Sequence, residues 1–230
     1  MREKILSVSV MCSDLMNLGA ELDRLESLGV QRFHVDVMDG HFVPNLTFGT
    51  GFIDAMHSRS RVPLDIHLMV TDPELVLQRI SLREGDILTA HVELDRSYAE
   101  FSAGVRDRGC RFGLAVNPDT PVESLERHLG LFDEVTLMLV HPGFAGAKMV
   151  DGIMDKVGVC RRWLDAHGCP DVRVSVDGSV SAERAAYMAG LGADIFVGGT
   201  AGVYIKGQKP EDTIPRFFAA VNGDNRIFRK

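Results

Sequence analysis

Two kinds of hydrophobic pattern alternate along this chain. Short runs rich in Val, Ile and Leu are separated by stretches in which apolar residues recur at three- and four-residue steps. Runs of the first kind are typical of buried strands, and stretches of the second kind are typical of amphipathic helices. The strand-like segments number eight, and they cover residues 5–11, 33–38, 64–70, 87–93, 111–117, 134–140, 173–177 and 195–199. They begin roughly 22 to 39 residues apart, which leaves room for one helix each time.

Signals for helix ends support this interpretation. Residues 13–29 open with a capping residue, end in glycine and carry a leucine stripe, formed by Leu15, Leu18, Leu22 and Leu25. The segments 71–80 and 120–129 each begin with a capping residue and a proline in the first turn. A further helix is predicted in 181–194, from a capping Ser181 to a glycine terminus.

Alternation of strands and helices predicts a parallel sheet, and eight such units are the number that closes into a barrel. An open doubly wound sheet is the alternative, but its Gly-x-Gly-x-x-Gly turn after the first strand is missing. No linker, low-complexity tract or charge block divides the chain. We therefore predict an α/β protein with a single (β/α)8 TIM-barrel domain over residues 1–230.

Composition and charge narrow the function classes. The 230 residues are 45% hydrophobic and 25% charged, and the net charge of -7 argues against a nucleic-acid surface. No apolar run approaches the length of a membrane span, and the N-terminus lacks a signal-type apolar region. The four cysteines are scattered and are expected to be free thiols of a reducing compartment. We expect a cytoplasmic protein without nucleic-acid or membrane partners.

Polar residues interrupt several predicted strands where pure core is expected. His34 and Asp36 occupy alternate positions in "FHVDVMDGHFVPN" (33–45), His67 lies in "LDIHLMV", and Asp177 ends the seventh strand. Burying such groups is costly unless a partner or a metal compensates them. Each histidine alone is more commonly a satisfied core group, but barrel enzymes place their sites at the carboxyl ends of strands. Jointly, these four side chains can surround one divalent cation with N and O ligands.

Other polar residues near these strand ends have less specific predicted roles. Ser9 is the polar residue offered by the first strand, and it is a candidate substrate contact. Asp65 is expected to face away from His67 and to bond a helix or loop. His91 and Asn117 end the fourth and fifth strands as mouth residues without an assignable role.

Methionines and glycines complete the expected mouth of the barrel. Met38, Met69 and Met138 lie near the carboxyl ends of predicted strands, where soft core filler is the usual role of methionine. Glycine-containing loops follow the sixth, seventh and eighth strands, where barrels commonly bind phosphate through backbone N–H groups. The candidate phosphate-binding residues are Gly143, Gly146, Gly178, Ser179, Gly199 and Thr200.

Five segments resemble the signature blocks of the ribulose-phosphate 3-epimerase family: "HVDVMDGHFVPNLTFG", "LDIHLMV", "NPDTPVE", "LMLVHPGFAG" and "VDGSVS". The resemblance extends from Ser9 to about Val203. It implies a barrel of the ribulose-phosphate-binding type, a homo-oligomer, and 3-epimerisation of a phosphorylated ketose through a cis-enediolate. It also implies one divalent metal ion (Zn, Fe, Mn or Co), with the ligands His34, Asp36, His67 and Asp177. The acid/base pair would be Asp36 and Asp177. Met38, Met69 and Met138 would be substrate contacts that form an apolar cap near the reacting carbon and exclude water.

Several positions depart from the commonest pattern of that enzyme. The start reads "VSVMCSDL", the seventh strand ends in "DGS", the last turn reads "GTAG", and His141 stands where Asn is usual. The Met-Cys pair, "PGFAG", "DGS" and the "GTAG" turn are closer to the allulose-6-phosphate 3-epimerase branch. We expect D-ribulose 5-phosphate and D-xylulose 5-phosphate as the substrate pair, with D-allulose 6-phosphate and D-fructose 6-phosphate as the alternative. His141 is a candidate sugar or phosphate contact, or else a surface residue.

Two other classes are less well supported. Barrel decarboxylases of the orotidine-phosphate type use an Asp-x-Lys-x-x-Asp cluster, whereas the run "HVDVMDGH" has no lysine between its aspartates. A sugar-phosphate-binding module without turnover would need a broken ligand or acid/base set, and all four candidate residues are present.

Overall fold

In the computed structural model, which describes residues 2–224, eight parallel strands close into one barrel in sequence order. The strands are β1 (Ile5–Ser9), β2 (Arg32–Met38), β3 (Leu64–Met69), β4 (Ile87–His91), β5 (Arg111–Val116), β6 (Glu134–Met138), β7 (Arg173–Asp177) and β8 (Ile195–Gly198). Each predicted strand segment overlaps one of them, and the TIM-barrel prediction is confirmed. Met1 and residues 225–230 belong to the predicted 1–230 domain but lie outside the described residues.

Helices connect consecutive strands and cover the outside of the barrel. The α-helices are α1 (Leu18–Ser27), α2 (Thr50–Arg59), α3 (Pro73–Leu77), α4 (Ala99–Arg106), α5 (Lys156–Ala166), α6 (Ala182–Leu191) and α7 (Pro210–Val221). A 3-10 helix, Val122–His128, takes the place of an α-helix between β5 and β6. Short 3-10 helices also span Val10–Cys12, Leu15–Asn17 and Ile153–Asp155.

Three of the predicted helix starts carry a capping side chain, and the helix predicted for 13–29 differs in its first turn. The side chains of Asp14, Asp72 and Ser181 each accept a backbone N–H in the first turn of their element, as capping residues do. The helix predicted for 13–29 begins with a separate 3-10 turn, and Leu15 in that turn is 48% exposed. The prediction that this leucine belongs to the buried stripe was wrong, because the regular α-helical period starts only at Leu18.

The main apolar core lies outside the barrel, between the strands and the helices. In β2, Phe33, Val35 and Val37 belong to this core, whereas Arg32, His34 and Asp36 alternate with them. Side chains alternate between the two faces of a strand, so the polar residues of β2 share the inner face. The interior of the barrel therefore carries polar side chains that are shielded from water.

The register of β2 and β3 corrects the expectation for Asp65. His34 is paired with Asp65, and Asp36 is paired with His67, so all four side chains share one face. Asp65 and His67 are two residues apart, and residues two apart in a strand point the same way. The expectation that Asp65 faces away from His67 was therefore wrong, and Asp65 lies in the barrel interior.

Two expectations from composition can be compared with the described residues. Across residues 2–224, no helix combines the length and the apolar character that crossing a bilayer requires. The four cysteines all lie within this part of the chain and are free, as predicted: Cys12, Cys110, Cys160 and Cys169.

Candidate metal centre and active site

Two histidines and two aspartates converge at the mouth end of the barrel. The Nε2 atom of His34 lies 3.1 Å from Asp36 Oδ1 and 3.7 Å from Asp177 Oδ2. The Nδ1 atom of His67 lies 3.4 Å and 3.8 Å from the same two oxygens. One ligand atom from each of the four residues lies within 4.8 Å of all the others. The structure thus brings together the four residues that the sequence analysis singled out as candidate metal ligands.

The chemistry of this cluster fits a divalent cation. His67 Nδ1 is buried and, among the described residues, has no hydrogen-bond partner. Buried polar atoms are almost always hydrogen-bonded, so an orphaned nitrogen that faces two carboxylates calls for a further partner. Two imidazole nitrogens and two carboxylate oxygens are a donor set that zinc and similar divalent ions accept. The cluster could therefore hold one metal ion.

Each histidine is held by the nitrogen that faces away from the cluster. His34 Nδ1 lies 2.9 Å from the Asp65 carboxylate. His67 Nε2 lies 2.9 Å from His91 Nε2, and His91 Nδ1 lies 2.9 Å from the Glu93 carboxylate. Burial lowers the pKa of His91 to about 4, so its ring is neutral at pH 7. Ligating histidines commonly donate their second N–H to such a partner, which orients the ring.

The environment shifts the pKa values of the two aspartates of the cluster in opposite directions. Burial alone would raise the pKa of the Asp36 carboxyl, but His34 and His67 lower it well below its usual range. Burial raises the pKa of the Asp177 carboxyl, a rise that His34 opposes and the charge of Asp36 reinforces. Burial also disfavours a charged His34, yet the Asp36 and Asp65 carboxylates raise the pKa of that ring well above its ordinary value. Two carboxyl groups with separated pKa values are a common arrangement for an acid/base pair.

A cleft opens beside the cluster, and Asp36 and Asp177 line it. The predicted substrate contacts that line it are Ser9, Met38, Met69 and Met138. The Ser9 hydroxyl donates to Asp36 Oδ2 at 3.3 Å. Met38 and Met69 form a small apolar cluster with Val43 that is separate from the main core. The methionines therefore give the cleft an apolar part beside its two aspartates.

The glycine loops converge on the other side of the same cleft. All six candidate phosphate-binding residues line it: Gly143, Gly146, Gly178, Ser179, Gly199 and Thr200. A Cβ atom on Gly146 would lie 3.9 Å from Thr200 Oγ1, so the loops after β6 and β8 are neighbours. Gly178 and Ser179 both have positive φ angles, which turn the chain sharply after β7. Arg184 in α6 donates to the Ser179 hydroxyl at 2.8 Å and brings a positive charge to this turn.

Some residues stand apart from the sequence expectations. The His141 side chain is 66% exposed and lies 3.7 Å from Asp119, and His141 is not among the described residues that line the cleft. Met11 and Cys12 do line it, although neither was selected as a site residue. The roles of Asp65 and Glu93 in holding the histidines were missed as well. The two-residue spacing of Asp65 from His67 was a signal that could have revealed the first of these roles.

A TIM barrel whose mouth combines a potential metal cluster, two acidic groups and converging glycine loops belongs to the class of barrel enzymes. Residues 5–204 match the model of the ribulose-phosphate 3-epimerase family. The ribulose-phosphate 3-epimerase of Bacillus subtilis (strain 168) is 35% identical over 193 residues, which are 84% of this chain and 89% of that protein. Ribulose-phosphate 3-epimerase 1 of Cupriavidus necator is 38% identical over 200 residues, covering 85% and 83% of the two chains. The chain therefore belongs to the ribulose-phosphate 3-epimerase family, and it is an isomerase.

A solved structure with a more distant sequence shares the same architecture. The crystal structure of KGPDC from Streptococcus mutans superposes with a TM-score of 0.67, covers 99% of this chain and 100% of its own, and is 14% identical. At this identity the likeness concerns the barrel fold alone.

Proposed function

We propose that this protein catalyses the metal-dependent 3-epimerisation of a phosphorylated ketose, with D-ribulose 5-phosphate and D-xylulose 5-phosphate as its substrate pair. The observation that carries the proposal is the position of Asp36 and Asp177. They come from strands on different sides of the mouth, β2 and β7, and both open into the cleft beside His34 and His67. Family membership supports the same reaction, since the matched relatives carry the name of this epimerase.

The two aspartates supply the proton transfers. The C3 hydrogen of a 2-ketose is acidic because it lies next to the C2 carbonyl, and inversion at C3 requires removal of a proton from one face and delivery to the other. One carboxylate takes the C3 proton to leave a flat enediolate, and the other, in its protonated form, delivers a proton to the opposite face. The two groups exchange roles in the reverse reaction. A divalent ion held by His34, Asp36, His67 and Asp177 would supply Lewis-acid stabilisation of the negative charge on the substrate oxygens.

The remaining walls of the cleft position the substrate. Met38, Met69 and Met138 present apolar, polarisable side chains that exclude water from the reacting carbon and strengthen the electrostatics there. The phosphate group is placed against the turns at 178–179 and 199–200, next to the N-terminus of α6 and the Arg184 guanidinium. An acidic protein can bind an anion at this point because the local dipoles and one cation are positive.

A six-carbon substrate is the second candidate. Met11, Cys12 and Ser179, which depart from the commonest pattern of the five-carbon enzyme, all line the cleft. Their position favours a changed substrate contact over a neutral change elsewhere in the barrel. D-allulose 6-phosphate and D-fructose 6-phosphate therefore form the alternative pair. Values of kcat/KM for both pairs, measured on one preparation, decide between them, and a clear preference for the six-carbon pair would reverse our order.

The mechanism is tested by a substitution and by metal removal. Asp177→Asn should lower turnover by about 10²- to 10⁴-fold, because it removes one of the two proton-transfer groups. Asp119→Asn, an exposed aspartate outside the cleft, is the matched control and should leave turnover unchanged. Dialysis against a chelator should abolish activity, and added Co²⁺ or Zn²⁺ should restore it. Full activity after complete metal removal would contradict the proposal.

A further inference from the structure

A chain of hydrogen bonds runs from the cluster to the carboxylate of Glu93, two residues after the end of β4. His67 Nε2 and His91 Nε2 are 2.9 Å apart, and the two rings stack with centroids separated by 5.0 Å. His91 Nδ1 lies 2.9 Å from Glu93 Oε2. The other Glu93 oxygen, Oε1, accepts the backbone N–H of Asn117 at 2.8 Å. Both histidine rings are fully buried, so these contacts are shielded from water.

With both rings neutral, the donors and acceptors along these hydrogen bonds admit one consistent arrangement. An ionised carboxylate only accepts, so His91 must carry its proton on Nδ1, facing Glu93. The neutral His91 ring then accepts at Nε2, and the His67 Nε2–H is the group that donates to it. A neutral His67 that is protonated on Nε2 presents a lone pair on Nδ1. This is the nitrogen that faces the Asp36 and Asp177 carboxylates and has no hydrogen-bond partner among the described residues.

We propose that Glu93, acting through the His91 ring, selects the tautomer of His67 that can bind a metal ion. Glu93 and His91 are positioning residues, since neither lines the cleft within the described part of the chain. The inference rests on the metal site of the proposed function, and it concerns how one ligand of that site is held in its metal-binding tautomer. The two histidine ligands are then set by different means: His34 directly by Asp65, and His67 through an intervening ring.

Glu93→Gln is the decisive variant because it should reverse the direction of each hydrogen bond between residue 93, His91 and His67. The Asn117 backbone N–H is a fixed donor and will take the amide oxygen of the new side chain, which turns the amide NH₂ toward His91 Nδ1. His91 must then accept at Nδ1 and donate from Nε2, which forces the His67 proton onto Nδ1. The Thr120 hydroxyl, which also bonds this carboxylate, can accept as well as donate and does not oppose the change. Glu93→Ala removes the contact without inverting it.

The expected order of metal affinity separates this role from a structural one. Glu93→Gln should weaken Co²⁺ binding by about 10- to 100-fold, and Glu93→Ala should weaken it less. A role in packing alone predicts the opposite order, since glutamine preserves the shape of glutamate and alanine does not. His57→Gln is the matched control, because it alters another histidine–carboxylate contact, partly buried and 2.7 Å from His57 Nε2 to Asp86, that lies outside the cluster.

Titration of the metal-free proteins with Co²⁺, followed by absorbance and by competition with a chelator, gives these affinities. Histidine ¹⁵N spectra of the metal-free proteins give the tautomer, with the His67 proton expected on Nε2 in the wild type and on Nδ1 in Glu93→Gln. Circular dichroism confirms that the variants are folded. If Glu93→Gln binds Co²⁺ as tightly as Glu93→Ala or more tightly, the inference is wrong while the metal site stands. If the wild type does not bind Co²⁺, both the metal site and the inference fall.

Discussion

Gly178 is a position where one added methyl group tests the proposed phosphate turn directly. It follows Asp177 at the end of β7 and has a φ of +107°, a conformation that glycine adopts far more readily than other residues. A Cβ atom at this position would lie 2.6 Å from Val140 Cγ2 and 2.8 Å from Val140 Cγ1. Val140 is buried, so its side chain has little room to move away. Gly178→Ala should therefore strain the turn and force Val140 or the 178–179 backbone to shift.

The size of the effect follows from two separate contributions. Holding a non-glycine residue in this backbone region costs about 1–3 kcal/mol. The overlap with Val140 is a case of overpacking, which adds about 1–3 kcal/mol. Gly130→Ala isolates the first contribution, because Gly130 has a φ of +83° and its added Cβ would meet no heavy atom of the described residues within 4 Å. We expect Gly178→Ala to be the more destabilising of the two by the overpacking contribution.

Urea unfolding followed by circular dichroism measures these free energies. The same experiment on Val140→Ala and on Val140→Ala/Gly178→Ala completes a double-mutant cycle, in which the double variant should regain about 1–3 kcal/mol relative to the sum of the single variants. The KM for the ketose phosphate should also rise in Gly178→Ala and should stay unchanged in Gly130→Ala. Equal destabilisation by Gly178→Ala and Gly130→Ala, or an additive cycle, would refute this reasoning.

Two further predictions concern stability. Asp39 accepts backbone N–H groups of Thr71 and of its own loop, and these contacts lower its pKa from 3.8 to about 2. The ionised carboxylate therefore stabilises the fold above pH 3.8, and this effect is lost as the pH falls toward 2. Asp39→Asn should lower the unfolding free energy at pH 6 by about 1 kcal/mol after allowance for solvent screening, and urea unfolding should show the deficit shrinking below pH 4; a deficit independent of pH would contradict this. Arg32 and Glu134 form a buried ion pair, 2.9 Å between Nη1 and Oε2. Arg32→Met should cost about 3–5 kcal/mol in urea unfolding, because it removes the hydrogen-bonded partner of the buried Glu134 carboxylate. The double variant with Glu134→Met should be closer to wild type, and a single variant as stable as the double would show that the pair is solvated.

The barrel could be predicted from the sequence because each strand has its own short apolar pattern, which does not depend on distant parts of the chain. The segment 33–38 was placed within one residue of the observed strand Arg32–Met38, and the four cluster residues were selected because polar groups at strand ends stand out against apolar neighbours. The 3-10 helix Val122–His128 was not predicted, since its capping signals are the same as those of an α-helix. The role of Glu93 depends on which residues of β3 and β4 lie side by side, and this register is not written in either strand alone.

His141 illustrates a second limit. Strand alternation assigns faces only within a strand, and β6 ends at Met138, three residues before His141. Beyond that point the direction of a side chain depends on the loop. The His141 ring lies in an exposed position near Asp119, which no periodicity in the sequence could indicate.

The alternation within β2 itself is a signal for a functional interior. Parallel strands that are buried on both faces usually read as continuous apolar runs. In β2 the outward positions Phe33, Val35 and Val37 keep that character, because they pack between the barrel and the helices. The inward positions change in steps from an ion pair at Arg32, through His34 and Asp36, to Met38 beside the cleft. Apolar residues would fill the same space at less desolvation cost, so a polar inner face needs a reason other than packing. Because β3 pairs His67 with Asp36 and Asp65 with His34, two strands carry this pattern in register, and that register sets the pairs of residues that meet at the proposed metal site.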